Sequence, residues 1–212
     1  EEASKKAETD YGIVSRYIMN GIRHLGPESV QQTAKEVLDN PLPILVGFGL
    51  AGDELHFPPA LFQSTFDMLY AENYPITVHA GEWDGPENIR KAIELLHPTR
   101  LGHGVRSIEE PELVNEIIDK DIVLETCPTS NIATKIYDSY ENHPVKKLFD
   151  QGVKITVNSD DPPFFNATIQ GEYNIMEELG LNEKELTSLT RNAVEASFCE
   201  KEVKNKLLSK LS

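Results

Sequence analysis

Along the chain, short runs of β-branched and aliphatic residues alternate with stretches whose apolar positions recur every three or four residues. The runs cover residues 13–19, 44–50, 76–79, 100–103, 122–126 and 153–158, and successive centres lie about 22 to 32 residues apart. Each gap holds one crossover helix, which predicts repeated βα units and a parallel sheet. Pro27, Pro86 and Pro111 stand at the starts of helical stretches, where a missing N–H costs little. Residues 182–211 read as two amphipathic helices, the first capped by Asn182.

Six such units fit either an open doubly wound sheet or part of an eight-fold barrel. No G-x-G-x-x-G follows any of the runs, which weakens a dinucleotide-binding sheet. Nearly every run ends in a polar or glycine-containing stretch: Ala51-Gly-Asp-Glu, His79-Ala-Gly-Glu, Gly102-His-Gly, Cys127-Pro-Thr-Ser-Asn and Asn158-Ser-Asp-Asp-Pro. Chemistry-bearing residues gathered at the C-terminal ends of several strands favour a TIM barrel, so the expected fold is α/β with about six βα units. No Gly/Ser linker or low-complexity block divides the sequence, and residues 1–212 are expected to form one domain.

The composition narrows the partners. Twenty Lys+Arg against 35 Asp+Glu give a formal net charge of −15, a field that repels phosphate backbones and anionic lipid. Nucleic acid and membrane surfaces are therefore not expected partners. The two cysteines, Cys127 and Cys199, form neither a disulfide framework nor a C-x-x-C zinc site, and a reducing, cytoplasmic setting is expected. No apolar run approaches the roughly 18 residues of a membrane span, and the first residues carry no signal-peptide pattern.

The candidate chemistry lies at the strand ends. His79 closes the third run and Glu82 follows it by three residues, so an imidazole and a carboxylate can face one pocket. His103 lies between two glycines, which points to close backbone approach. Asp160 and Asp161 are adjacent carboxylates that repel each other unless a cation or hydrogen bonds compensate. Gly52 ends the second run, where bare backbone can meet a ligand ring. Each feature has an ordinary structural reading: a capped strand-end His, a tight turn, an N-cap aspartate, a loop glycine. Together, two His, one Glu and two Asp at consecutive strand ends suggest metal-assisted hydrolysis, in which a metal brings the pKa of water to near 7. Cys127-Pro-Thr-Ser-Asn reads as structural, and His24, His56, His97 and His143 are assigned no chemistry.

These motifs, in their order and separations, resemble the adenosine deaminases of the amidohydrolase superfamily over essentially the whole chain. The motifs are Leu50-Ala-Gly-Asp-Glu, Thr77-Val-His-Ala-Gly-Glu, Arg100-Leu-Gly-His-Gly-Val, Cys127-Pro-Thr-Ser-Asn and Asn158-Ser-Asp-Asp-Pro. The resemblance implies His79 and Asp160 as zinc ligands, with Asp160 also catalytic through contact with the metal-bound water, and Glu82 as proton donor to purine N1. It further implies that His103 orients or deprotonates the attacking water, that Asp161 recognises N7, and that the Gly52 backbone recognises N3. Adenosine or 2′-deoxyadenosine is the implied substrate, with adenine or aminodeoxyfutalosine as the alternatives. A non-catalytic nucleoside-binding protein is the alternative outside the enzyme class. The family's H-x-H pair of zinc ligands does not occur in this sequence, and many members carry Asp where Gly49 stands. In the family's terms the first two barrel strands are missing, so a longer protein is expected, with two further His ligands in its N-terminal segment.

Overall fold

The computed structural model describes residues 1–211. Helix α1 (Glu2–Tyr11) precedes β1 (Tyr17–Ile22), α2 (Pro27–Asp39), β2 (Leu45–Ala51), α3 (Gln63–Ala71), β3 (Ile76–Ala80), α4 (Pro86–Leu96), β4 (Arg100–His103), α5 (Pro111–Asp119) and β5 (Val123–Thr126). The chain continues through α6 (Pro128–Ala133), α7 (Val145–Asp150), β6 (Ile155–Val157), the short α8 (Pro162–Phe165), α9 (Ile169–Glu178), α10 (Glu183–Ala196) and α11 (Lys201–Leu208). All six strands are parallel and lie in sequence order, β1 to β6. This is the α/β arrangement of six consecutive positions of a TIM barrel, as the sequence pattern predicts.

The strand register explains how the molecule divides into a dry layer and a polar lumen. One row across the sheet reads Gly21, Leu50, Val78, Leu101, Leu124, Ile155. Its apolar members belong to the buried cluster that also takes Val30, Phe66, Ile89, Ile117 and Leu148 from the helices. Alternate residues point to the opposite face, and the neighbouring row reads Asn20, Gly49, Thr77, Arg100, Val123. At this level Arg100 ion-pairs with Glu125 at 3.0 Å, and Thr77 donates to the same carboxylate at 2.6 Å. The Arg100 guanidinium lies 3.7 Å from the centre of the Phe198 ring, which ties the α10–α11 link to the strand starts.

The first strand differs from expectation. It spans Tyr17–Ile22 and not residues 13–19, because α1 ends on Gly12 in left-handed backbone (φ 70°) and Ile13 is left exposed. Asn20 and Gly21 interrupt the apolar pattern yet belong to the sheet. Gly21 lies so close to Val30 that a Cβ there would fall 2.5 Å from its Cγ1. Asn182 does cap α10, in a reciprocal capping box with Glu185.

Candidate active site

The C-terminal strand ends gather four of the predicted residues. The His79 and His103 rings meet edge to face with centroids 5.1 Å apart. His103 Nε2 lies 3.6 Å from Glu82 Oε2 and 3.8 Å from Asp160 Oδ2. A cavity of about 320 Å³ opens beside them, lined by His79, Gly102, His103, Glu125, Cys127 and Asp160 among others. Glu82 lines a separate recess of about 260 Å³ with Gly52, Asp53, Glu54, Leu55 and Trp83. Asp161 is not brought into the cluster. It is exposed at the N-cap of α8, where its carbonyl accepts from the Phe164 and Phe165 N–H groups.

The close packing requires particular residues. A Cβ at Gly102 would sit 2.7 Å from His79 Nδ1, so the bare strand makes room for the neighbouring imidazole. At Gly49 a Cβ would fall 1.9 Å from Asn20 Oδ1; the missing side chain admits the amide of the adjacent strand. His103 and Asp160 both adopt left-handed backbone (φ 60° and 53°), a costly conformation for side-chain-bearing residues that concentrates at functional sites.

Electrostatics separates the titratable groups. Burial raises the Glu82 carboxyl to about 7, and the neighbouring Glu54 and Asp160 carboxylates add to the effect. Burial holds His103 well below the usual imidazole range, with His79 and His143 contributing, so it is neutral at pH 7. The Cys127 thiol is pushed well up by burial and by the surrounding carboxylates. Ser130 Oγ donates to Asp160 Oδ2 at 2.7 Å.

These donors suit a metal. The buried His79 Nδ1 has no hydrogen-bond partner among the described residues, and imidazole nitrogen and carboxylate oxygen are the donors zinc takes. His103, Cys127 and Asp160 also bring one potential ligand atom each within 4.8 Å of one another.

Several residues that support the site escape sequence reading. Glu54, 1% exposed, accepts from the backbone N–H groups of Gly81 (3.1 Å), Glu82 (3.4 Å) and Asp84 (3.1 Å), and so clamps the loop that carries Glu82. Arg23, fully buried and pushed down to about 10 by desolvation, donates to the carbonyls of Phe57 and His79 at 2.7 Å each. His143 lies in the loop before α7, as expected, but it is buried there and hydrogen-bonds Asn131, which in turn contacts His103. Glu54 had a signal in its place beside Gly52 in the motif at the end of β2. For Arg23 and His143 the sequence offers none: the Arg23 partners lie 34 and 56 residues away, and no local motif pairs His143 with Asn131.

Similarity to known proteins follows the same geometry. An adenine deaminase of Sinorhizobium medicae is 41% identical over 206 residues, which is 97% of this chain and 64% of that protein. Among solved structures, an adenine deaminase from Arthrobacter aurescens superposes with a TM-score of 0.92 at 26% identity, covering 99% of this chain and 64% of its own. An amidohydrolase from Burkholderia ambifaria, solved with bound zinc, gives 0.91 at 25% identity over 98% of this chain and 58% of its own. The chain thus spans somewhat less than two thirds of the relatives it matches. The family profile described as adenosine deaminase matches residues 1–212, and the chain belongs to that family of the amidohydrolase superfamily.

Proposed function

We propose that the protein hydrolytically deaminates adenine. Water adds its oxygen at C6, the bond from C6 to the exocyclic nitrogen breaks, and hypoxanthine and ammonia result. The observation that carries this reading is Glu82: its carboxyl is raised to about 7 and lies 3.6 Å from the ring of the neutral His103. A carboxyl that keeps its proton near neutrality is matched to donating it, and purine N1 must gain a proton as attack at C6 breaks ring aromaticity. The relatives favour the free base, which the sequence carries as an alternative, over the nucleoside that the motifs first suggest.

His79 and Asp160 would hold zinc; a bound zinc ion there supplies Lewis-acid activation of water. Ser130 fixes the Asp160 carboxylate through its hydroxyl. Glu54 and Arg23 hold the backbone on both sides of the His79–Glu82 turn, so the proton donor and the imidazole keep a set separation. The Gly52 backbone faces the same recess as Glu82 and would contact the purine edge. Asp161, exposed next to Asp160 in the chain, would recognise N7 of the bound purine. Purine salvage in the cytoplasm is the setting we assign. It is compatible with two free cysteines and with the absence, among the described residues, of a helix long and apolar enough to cross a membrane.

Glu82→Gln tests the reading, since it keeps shape and hydrogen bonding and removes the transferable proton. In the full-length zinc-loaded protein, kcat for adenine should fall by about 10²- to 10⁴-fold, with adenine affinity by calorimetry unchanged within a few-fold. Near-normal turnover in this variant would remove Glu82 from the reaction.

A further inference from the structure

A chain of three hydrogen bonds leads away from His103 into the protein interior. It begins at a group that has no choice: the Val145 backbone N–H, which donates to His143 Nδ1 at 3.2 Å. A nitrogen that accepts is bare, so the neutral His143 ring carries its proton on Nε2. Burial pushes His143 down to about 4, which keeps it neutral. Its Nε2–H then donates to Asn131 Oδ1 at 3.1 Å. With its oxygen so engaged, Asn131 turns its amide Nδ2–H₂ to His103 Nδ1, 3.2 Å away. Asn131 and His143 are 0% and 2% exposed, so water does not compete for these bonds. The Tyr137 ring, 4.9 Å from His143 and edge to face, packs against the relay.

We infer that Asn131 and His143 are positioning residues that lock His103 in one tautomer, with Nδ1 bare and Nε2–H presented to the cavity between Glu82 and Asp160. Reversing any link would set two donors or two lone pairs against each other in a buried site. The relay therefore has a single orientation, fixed by one backbone amide at the start of α7. His103 meets the reacting groups as a hydrogen-bond donor. In its neutral form it has no free lone pair at Nε2 to accept a proton, and its Nδ1 is already occupied. Of the two roles open to His103, orienting or deprotonating the attacking water, this arrangement selects orientation.

The consequence for rate rests on the proposed deaminase reading; the tautomer does not. The experiment is two-bond ¹H–¹⁵N correlation of ¹⁵N-histidine in the zinc-loaded full-length protein, with steady-state kinetics on adenine in parallel. Wild type should show the Nε2–H pattern for both His103 and His143. Asn131→Leu and His143→Leu should lose the exclusive Nε2–H pattern at His103. Their kcat should fall on the order of tenfold or more with KM nearly unchanged, the scale seen when partners that orient a reacting imidazole are removed. His143→Gln should restore both signature and kcat, because its amide oxygen can accept from Val145 N–H while its NH₂ donates to Asn131. An Nδ1–H or doubly protonated His103 in wild type overturns the proposal, as do Leu variants that keep the wild-type signature and kcat. If the Leu variants fail to fold, the wild-type and His143→Gln spectra decide. A wild-type protein that shows the Nε2–H signature but turns over no adenine sinks the deaminase reading and leaves the relay standing.

Discussion

At the scale of single residues, burial decides what a carboxyl group in the site can do. Glu82, with its side chain 14% exposed, has its pKa raised from 4.5 to about 7 by desolvation, with Glu54 and Asp160 adding to the shift. A carboxyl whose pKa is higher in the folded than in the unfolded chain binds its proton more tightly when folded. Stability is therefore highest below pH 4.5 as far as this group is concerned, and it declines as pH rises from 4.5 through about 7. Glu82→Gln removes this liability. In metal-free protein the variant should be more stable than wild type by on the order of 3 kcal/mol at pH 8, with the advantage gone at pH 4. Urea titrations at the two pH values measure this; an equal difference at both would mean that Glu82 is not held protonated by its surroundings. The sequence makes Glu82 and His79 legible because a polar residue closing an apolar strand needs an explanation. It leaves Asn131 and His143 unread because nothing in a Ser-Asn or His-Pro dipeptide shows that the fold pairs these two, 12 residues apart, and sets Asn131 against His103, 28 residues away.

At the scale of elements, the site depends on the short loops after the strands. The loop from Gly81 to Asp84 gives three backbone N–H groups to one buried carboxylate, Glu54, while Arg106 donates to the Gly81 and Trp83 carbonyls and Asn88 to the Asp84 side chain. Glu54→Ala strands those donors and removes the carboxylate that does most to favour the Arg23 cation. Breaking a buried charged network in this way should cost about 3–5 kcal/mol, read by urea denaturation, and should lower kcat for adenine through the displaced Glu82. A loss below about 1 kcal/mol, the level of an exposed ion pair, would show that the loop holds itself. The elements themselves are mostly legible in the pattern, since five of the six predicted runs overlap their strands closely. The first run is displaced because its strand carries Asn20 and Gly21 where an apolar residue is expected, while Ile13 and Val14 precede the sheet. Polarity toward the lumen, which Asn20 shares with Thr77 and Arg100, looks like a loop in the sequence and like a strand only once the barrel face is known.

At the scale of the whole molecule, the sheet sorts chemistry by direction. Its outward row packs dry against the helices, its inward rows carry Thr77, Arg100 and Glu125, and the C-terminal ends gather His79, Glu82, His103 and Asp160. The barrel class was legible because strand spacing and polar strand ends both follow from it. The choice of substrate was less so, because motifs that would bind a metal and deliver a proton suit any purine deaminated at C6. An acidic molecule with a formal charge of −15 offers no attraction to phosphate, which agrees with an uncharged base as the substrate. The most direct measurement is the release of ammonia from adenine and from adenosine by the full-length zinc-loaded protein, followed as kcat/KM for each. The account predicts hypoxanthine from adenine, with kcat/KM at least about tenfold above that for adenosine, a difference of roughly 1.4 kcal/mol in transition-state stabilisation. A preference for adenosine would contradict the substrate, and no ammonia from either would contradict the function.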